Sequence, residues 1–354
     1  MNAPPLIAAT DAGLHCEPGG FHVDAWRPVE RCVVTHAHSD HARAGSRSYL
    51  CATEGVAVLR ARLGPDAAVE GIAYGERRSI GDVTVSLHPA GHLLGSAQVR
   101  VEHHGRVVVV SGDYKTAPDT TCRPFEPLRC DEFITESTFG LPIYRWPADR
   151  DVFDDMNAWW RGNVEAGRTS VVFAYALGKA QRVLSGLDAG IGPILLHRAV
   201  HRMTQVYRAS GVALPPAEHA TDALARSARG RALVIAPPSA AGTPWLRKFG
   251  PASLAMASGW MAVRGTRRRR ALDRGFVLSD HADWPALLNT IAATGATRVG
   301  VTHGYTAPLV RYLTERGPDA YTIATRFEGE LDAPADAADE ADTTAAGANG
   351  GDAT

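Results

Sequence analysis

The chain has 354 residues, 45% of them hydrophobic, which is enough to bury a sizeable core in two domains or in one domain with an insertion. The formal net charge is -1, but the last 24 residues hold six acidic residues and no Lys or Arg, so the rest of the chain carries 37 basic against 32 acidic residues. This basic body is compatible with a polyanionic substrate. Without a long apolar run, a secretory signal or a CxxC pair among the five cysteines, the composition argues against a membrane span and a disulfide framework and predicts a cytoplasmic protein.

The first part of the chain is predicted to be mostly β-structure. Short apolar runs that end at Gly-containing turns are typical of strands in an antiparallel or mixed sheet. The predicted strands are residues 21–24, 31–35, 83–88, 97–102, 107–111 and 132–135, and a short helix is predicted at 56–63.

The middle of the chain changes character, because strand-like and helix-like runs alternate there. This alternation predicts a parallel α/β sheet. The predicted strands are 170–175, 193–196, 232–236 and 253–257, and the predicted helices are 149–166, 178–187, 200–210 and 217–228. We therefore expect an inserted α/β domain at 141–270.

The predicted first domain consists of residues 1–140 and 271–330. Its second part contains predicted strands at 276–279 and 298–302 and predicted helices at 284–294 and 307–316. Residues 331–354 are rich in Ala, Asp, Gly and Thr and have almost no large apolar side chain, so an acidic disordered tail is predicted there.

A dense cluster of metal-ligand residues follows the predicted strand 31–35. The sequence Thr35-His36-Ala37-His38-Ser39-Asp40-His41 holds three histidines and an aspartate in six positions. Side chains alternate along an extended segment, so His36 and His38 point to the same side, while Asp40 and His41 fall in the next turn. Imidazole and carboxylate ligands suit Zn²⁺ or Mn²⁺.

Further ligand residues lie at the ends of later predicted strands. His92 follows the strand 83–88, Asp113 follows 107–111, and His303 follows 298–302. Each residue alone has an ordinary structural interpretation. Together they supply the additional ligands that a second ion needs, and a carboxylate such as Asp113 can bridge two ions.

These residues resemble the metallo-β-lactamase superfamily, whose HxHxDH motif is matched by the run from His36 to His41. Glu136, in Thr135-Glu136-Ser137-Thr138, resembles the acidic motif that opens the β-CASP insertion of its nuclease branch. His281, in Ser279-Asp280-His281-Ala282-Asp283, resembles the histidine motif that closes the insertion, and His303 resembles the final β-CASP motif. The segments 24–28 and 175–181 are most similar to the bacterial DNA-ligase-associated exonucleases.

The resemblance implies an αββα metallo-β-lactamase sandwich with an inserted β-CASP domain, and two divalent metal ions, zinc or manganese, in the cleft between the domains. One ion would be held by His36, His38, His92 and Asp113, and the other by Asp40, His41, Asp113 and His303. Asp24 would support a ligand histidine from behind. Hydroxide shared by the ions would attack the scissile phosphate, and His281, oriented by Glu136, would protonate the leaving group.

The function that this resemblance favours is a DNA exonuclease of DNA repair, associated with an ATP-dependent DNA ligase. An RNA-processing nuclease is the alternative, because RNA-directed eukaryotic β-CASP proteins carry His at the position of His303 and DNA-directed ones carry Val. A small-molecule hydrolase and a catalytically inactive scaffold are weaker hypotheses. Contacts with the nucleic acid backbone are predicted for Lys179, Arg182, Arg267 and Arg268, of which the last two belong to the basic run 267–270.

Overall fold

The computed structural model describes residues 5–263, 265 and 271–325, which form a mixed α/β structure with three β-sheets. The predicted tail 331–354 and the basic run 267–270, with Arg267 and Arg268, lie outside the described residues. None of the helices in the described ranges combines the length and hydropathy that a membrane crossing requires.

The first sheet contains the six strands nearest the N-terminus, in chain order. They are β1 (Ala8–Thr10), β2 (Gly13–Cys16), β3 (Phe21–Val23), β4 (Arg31–Val33), β5 (Ser48–Ala52) and β6 (Val69–Ile72). Strands β1 to β3 are antiparallel, and β3 to β6 are parallel. Between β5 and β6, the short 3₁₀ helix Thr53–Gly55 leads into α1 (Val56–Leu63), the helix predicted at 56–63.

The second sheet contains seven strands from two separate parts of the sequence. The first five are β7 (Arg78–Ile80), β8 (Val83–Pro89), β9 (Ala97–His103), β10 (Arg106–Val110) and β11 (Glu132–Ser137), and the last two are β18 (Arg298–Gly304) and β19 (Asp319–Thr322). Their spatial order is β19-β18-β11-β10-β9-β8-β7, so the late strand β18 pairs in parallel with β11. The chain therefore leaves this sheet at β11 and returns to it at β18.

The first two sheets pack face to face around one core. Phe21, Val33 and Leu50 of the first sheet contact this core together with Val85 and Val99 of the second. The outer face of each sheet, on the side away from this shared core, is covered by helices.

Alternation of side chains along the strands builds these layers. In β10, Val108 and Val110 face the core between the sheets, while Val109 faces the helices α6 (Trp284–Thr294) and α7 (Thr306–Thr314). On the far face of the first sheet, Val58 and Leu59 of α1 pack against it.

The third sheet is parallel throughout and is formed by chain between β11 and β18. Its order is β14 (Glu218–His219), β13 (Ile194–Leu196), β15 (Leu233–Ala236), β12 (Thr169–Phe173), β16 (Ala252–Ala257) and β17 (Arg274–Phe276). Its helices are α2 (Asp149–Glu165), α3 (Lys179–Ser185), α4 (Arg198–Ala209) and α5 (Asp222–Ser227), with 3₁₀ helices at Pro238–Ala240, Pro244–Phe249 and Gly259–Ala262. We call residues 149–276 the third-sheet unit.

The third-sheet unit has a core on each face of its sheet. Met156 and Trp160 of α2 pack on one face with Val183 of α3, and Phe249 and Met261 pack on the other. The predicted αβ alternation agrees with this arrangement.

The structure adds strands that were not predicted, namely β1, β2, β5, β6, β7 and β19. Two of the predicted segments also differ from the structure. Residues 217–228 are not one helix, because Glu218–His219 pairs with β13 and α5 begins only after Thr221, whose hydroxyl accepts a hydrogen bond from Leu224 N (3.3 Å). The strand expected at 276–279 is β17, three residues long, and it hydrogen-bonds to β16. It therefore belongs to the third sheet, whereas the sequence analysis assigned residues from 271 onward to the first domain.

Helix α6 shows why some helix ends could be predicted from the sequence. Asp283 caps its first turn by accepting a hydrogen bond from Ala286 N (2.9 Å), and Pro285 follows the cap. Gly295 ends it with φ +66°, a left-handed conformation that glycine adopts without steric cost. His281, two residues before the cap, lies in the site described next.

Candidate active site

A buried loop after β4 carries the histidine-rich motif. Asp24, at φ +47°, accepts hydrogen bonds from Thr35 N (2.7 Å) and Thr35 Oγ1 (2.5 Å) and also from His41 Nδ1 (2.7 Å). Asp24 thereby connects both ends of the motif to the end of β3. It binds His41 through Nδ1, the ring nitrogen that points away from Asp113, and so it can orient the ring without occupying Nε2.

Asp113 lies at the centre of the site, three residues after the end of β10. Its nearest imidazole nitrogen is Nε2 of His303, 3.1 Å from Oδ1. Its Oδ2 lies 3.5 Å from His41 Nε2, 3.6 Å from His36 Nε2 and 3.9 Å from His92 Nε2. One buried carboxylate thus faces four histidines from three separate segments.

The chain approaches this point closely because of a glycine. Gly112 has φ +57°, and a Cβ atom there would lie 2.6 Å from the Thr35 side chain. Only glycine allows the end of β10 to pass against the histidine loop, so Gly112 sets the position of Asp113 relative to the motif.

Four of the imidazoles are oriented in the same way. The Nδ1 atoms of His36, His41, His92 and His303 face, respectively, Thr35 Oγ1 (3.1 Å), Asp24 Oδ2 (2.7 Å), the Asp280 carbonyl (2.8 Å) and Thr302 Oγ1 (3.1 Å). Their Nε2 atoms therefore point towards Asp113. Such outer partners fix the tautomer and orientation of a metal-binding histidine.

His38 is turned the other way. Its Nε2 lies 3.1 Å from the Leu177 carbonyl of the third-sheet unit, and its Nδ1 lies 3.1 Å from His92 Nε2. His38 therefore presents Nδ1 to the site. Asp40 lies at the rim, with Oδ2 3.7 Å from His41 Nε2 and a side chain that is 15% exposed.

Burial and charge divide the histidines into two kinds. Burial and the neighbouring His41 hold the pKa of His36 well below its ordinary value, and burial and His281 lower the pKa of His92 to about 3. Burial alone would also lower the pKa of His41, but the surrounding carboxylates, Asp113 foremost, outweigh it and raise that pKa to about 10. His36 and His92 are thus neutral at pH 7, as metal ligands must be, whereas His41 keeps its proton among the carboxylates.

The donor set fits two divalent cations. Ligand atoms of His36, His38, His92 and Asp113 lie within 4.8 Å of one another, and so do those of His41, Asp113 and His303. The Nε2 atom of His36 is buried and makes no hydrogen bond to any residue in the described ranges. Buried imidazole nitrogens around an ionised carboxylate are costly without a cation.

The side chains of Glu136 and His281 lie next to this cluster. Glu136, at the end of β11, accepts a hydrogen bond from Tyr114 N (2.7 Å) through one oxygen and faces His281 Nδ1 (2.9 Å) through the other. His281 Nδ1 is 3.9 Å from Asp113 Oδ2. The two residues predicted to work as a pair are therefore adjacent and lie beside the candidate metal centre.

Lys179 and Arg182 have a different environment from the predicted one. Lys179 Nζ lies 2.9 Å from Asp280 Oδ2, and Arg182 Nη1 lies 2.9 Å from Asp280 Oδ1. Both side chains are almost completely buried. Neither offers a surface to a nucleic acid backbone, so the predicted phosphate contacts are corrected to buried ion pairs with Asp280.

Asp280 is a site residue for which no role was predicted from the sequence. Its carbonyl orients His92, its carboxylate binds the third-sheet unit, and the next residue is His281. Its position inside the motif Ser279–Asp283 was the only signal. Its partners lie about a hundred residues earlier, and nothing in the local sequence links them to it.

Comparisons with known proteins agree with this geometry. The chain is 34% identical over 322 residues to a probable DNA ligase from Opitutus terrae, a match that covers 90% of the chain and 31% of that protein. It is 30% identical over 165 residues to cleavage and polyadenylation specificity factor 73 of Drosophila melanogaster (45% of the chain, 24% of that protein). It is 24% identical over 201 residues to an RNase J-like protein of Methanocaldococcus jannaschii (49% of the chain, 47% of that protein).

The chain thus spans less than half the length of each of these relatives. A crystal structure of a protein of unknown function from Enterococcus faecalis has the same fold, with a TM-score of 0.59 and 12% identity over 83% of this chain and 78% of that one. No protein-family model matches the chain. With its histidine motif, its Asp113 cluster and these relatives, the chain belongs to the β-CASP group of the metallo-β-lactamase superfamily.

Proposed function

We propose that this protein is a two-metal phosphodiesterase that degrades DNA from an end as part of DNA repair. The observation that supports this proposal most is the arrangement of two groups of ligand atoms that share Asp113. In this proposal the two facing sheets with their outer helices are the αββα sandwich, and the third-sheet unit is the β-CASP insertion.

The ligand sets follow from the positions of the donor atoms. His36, His38, His92 and Asp113 would hold one ion, and His41, Asp113 and His303, with Asp40 at the rim, would hold the other. Zinc suits this all-imidazole and carboxylate set, as does manganese. When bound, such ions would supply Lewis acidity towards a phosphate and activate water near neutral pH.

The protein's own residues supply the remaining chemistry. Asp24, Thr35 and Asp280 hold the ligand rings in place before substrate arrives. The proposed proton donor to the leaving oxygen is His281, since Glu136 accepts from its Nδ1 and thereby directs Nε2 outward from the pair. The Glu136 carboxylate would also stabilise the protonated ring.

Two observations bear on the polymer that is cleaved. The match that covers most of this chain is to a protein named probable DNA ligase, which favours DNA and a functional link with an ATP-dependent DNA ligase in the cytoplasm. RNA is the second candidate. A histidine at the position of His303 is typical of the RNA-directed eukaryotic proteins of this group, and His303 lies 3.1 Å from Asp113. In addition, other relatives are named as RNA-processing proteins. The basic run 267–270 stays a predicted contact for either polymer.

The test is cleavage of end-labelled single-stranded DNA, duplex DNA and RNA, each labelled at the 5′ or the 3′ end, with Mn²⁺ or Zn²⁺. We expect stepwise loss of nucleotides from one end of DNA, and no cleavage by an Asp40→Ala, His41→Ala double variant. Faster cleavage of RNA would establish the second candidate instead. Failure to cleave all three polymers while two ions are bound would refute a nuclease.

A further inference from the structure

A cavity of about 350 Å³ opens beside the Glu136–His281 pair, and His281 forms part of its wall. Most of its lining is apolar. Trp146 supplies an aromatic side chain, and Pro118, Val277 and Ala286 supply aliphatic ones. Pockets of this size are near the lower end of those that bind small organic groups, so one planar ring system with its sugar fits here better than a run of nucleotides.

The cations at the wall of this pocket are already neutralised. Lys115 Nζ lies 2.5 Å from Asp119 Oδ2. Arg182 forms two hydrogen bonds to the carboxylate of Asp149 and another to Asp280. With each buried cation matched by carboxylates, the pocket offers little net positive charge to a terminal phosphate, and it suits an uncharged ring instead.

Trp146 is held rigidly at this wall. Its indole N–H donates to the His281 carbonyl (2.9 Å), and its ring lies edge-on against Phe139, with 4.7 Å between centroids and an interplanar angle of 87°. A fixed aromatic ring beside a phosphodiester site is a surface on which any nucleobase can stack, whatever its sequence.

His281 is both the proposed proton donor and part of the pocket wall, so its position indicates which nucleotide occupies the pocket. A group that protonates the leaving oxygen must lie next to the leaving nucleotide. We propose that the pocket lined by Trp146, Val277 and Ala286 binds the base of the terminal nucleotide and that the bond broken joins the phosphorus to this nucleotide's sugar oxygen, which leaves with a proton from His281. This rests on the proposed function and adds that the product is a mononucleotide, because the pocket has room for one base.

A double-mutant cycle, in which one change is made in the protein and the other in the substrate, tests whether the pocket binds a base. The substrate is an oligonucleotide whose terminal nucleotide, at the end that is degraded, carries either a normal base or an abasic residue. We expect the abasic end to lower kcat/KM for the wild type by about tenfold, the scale of one stacked base, mainly through KM. On the substrate with the normal base, Trp146→Ala should lower kcat/KM about as much as the abasic end does in the wild type. On the abasic substrate, Trp146→Ala and the wild type should have the same kcat/KM.

Two further variants separate stacking from an indirect effect on His281. Trp146→Phe keeps an aromatic ring and loses the N–H bond to His281, so it should retain most of the affinity. Ala286→Phe narrows the pocket from the other wall and should raise KM only for the normal end. Trp245→Ala is the matched control, since Trp245 packs against Phe249 and His197 in the third-sheet unit and should not change either substrate's kinetics.

Binding without turnover provides a second readout. In EDTA, a terminal 2-aminopurine should lose fluorescence when it stacks in the wild-type pocket, and this quenching should be absent in Trp146→Ala and unchanged in Trp245→Ala. Equal losses on normal and abasic ends, or equal quenching with and without Trp146, would overturn the pocket while leaving the nuclease intact. If the wild type cleaves no polymer, the proposed function fails, and the quenching measurement alone decides whether the pocket binds a base.

Discussion

Two buried aspartates lie near each other in this protein and are used in opposite ways. Asp113 faces imidazole nitrogens: burial lowers the pKa of His36 and His92, whereas for His41 burial is outweighed by the surrounding carboxylates, which raise its pKa to about 10. Asp280 faces the permanent cations Lys179 and Arg182, which keep its pKa well below the ordinary value despite burial. The first carboxylate lies among imidazoles and is the proposed shared metal ligand, whereas the second is neutralised by permanent cations and serves as a fixed bridge between parts of the fold.

Removing the charge of Asp113 should cause the largest loss. We expect Asp113→Asn to bind fewer than two ions per chain and to lower kcat by about a thousandfold or more, on the scale of losing a preorganised electrostatic group. Metal content by plasma mass spectrometry and cleavage rates would be measured together. Full metal content in this variant would mean that Asp113 is not a shared ligand.

His281 follows Asp280 in the sequence, and its Nδ1 lies 3.9 Å from Asp113 Oδ2. Replacement of His281 should affect chemistry without affecting metal content. His281→Ala should lower kcat on an oligonucleotide by about 10²- to 10⁴-fold, the range for a lost general acid, at unchanged metal content. On a p-nitrophenyl phosphodiester, whose leaving group needs no proton, the loss should be small. An equally large loss on both substrates would contradict the proton-donor role.

Asp280→Asn tests the fixed bridge. This change leaves Lys179 and Arg182 buried without their full counter-charge, and breaking a buried pair typically costs about 3–5 kcal/mol. We expect that loss in the free energy of urea unfolding of the metal-free protein. Glu30→Gln is the control, because the Arg47–Glu30 pair is 80% exposed on both sides and should contribute nothing measurable. Equal stability of Asp280→Asn and wild type would show that the bridge is dispensable.

The smallest effect concerns the neutral histidines around Asp113. Because the pKa of His92 is lowered to about 3, the unfolded chain takes up a proton below pH 6.5 that the folded chain does not, so stability falls as pH falls through that window. Metal-free wild type should lose up to about 2 kcal/mol more between pH 7 and pH 5 than His92→Gln, which cannot be protonated. Identical acid profiles in urea titrations would rule out this contribution.

The same contrast shows what could be predicted from sequence. The residues around Asp113 were predictable, because the motif from His36 to His41 is a dense local run and His303 and Asp113 follow recognisable apolar strands. Their convergence is seen in the structure, while their roles as ligands stay predictions. The partners of Asp280 were not predictable, since they depend on how α3 packs against a loop about a hundred residues later.

Short strands were missed for a similar reason. Strand β14 has only two residues and was predicted as part of a helix, and the unpredicted strands β1, β2 and β7 have three or four residues each. Such segments have too few residues for alternation to show in the sequence. The longer helices α2 and α6 were found because their apolar spacing is local, and α6 also has a local cap at Asp283.

The contact between His38 and the Leu177 carbonyl has a mechanical consequence. Leu177 belongs to the third-sheet unit, and the other ring nitrogen of His38 faces the candidate metal centre. A rigid movement of that unit away from the two facing sheets must stretch or break this hydrogen bond and free the His38 ring to turn. If His38 holds a metal ion as proposed, metal affinity is therefore coupled to the separation between the third-sheet unit and the two facing sheets, and by reciprocity binding of the ion favours the closed position.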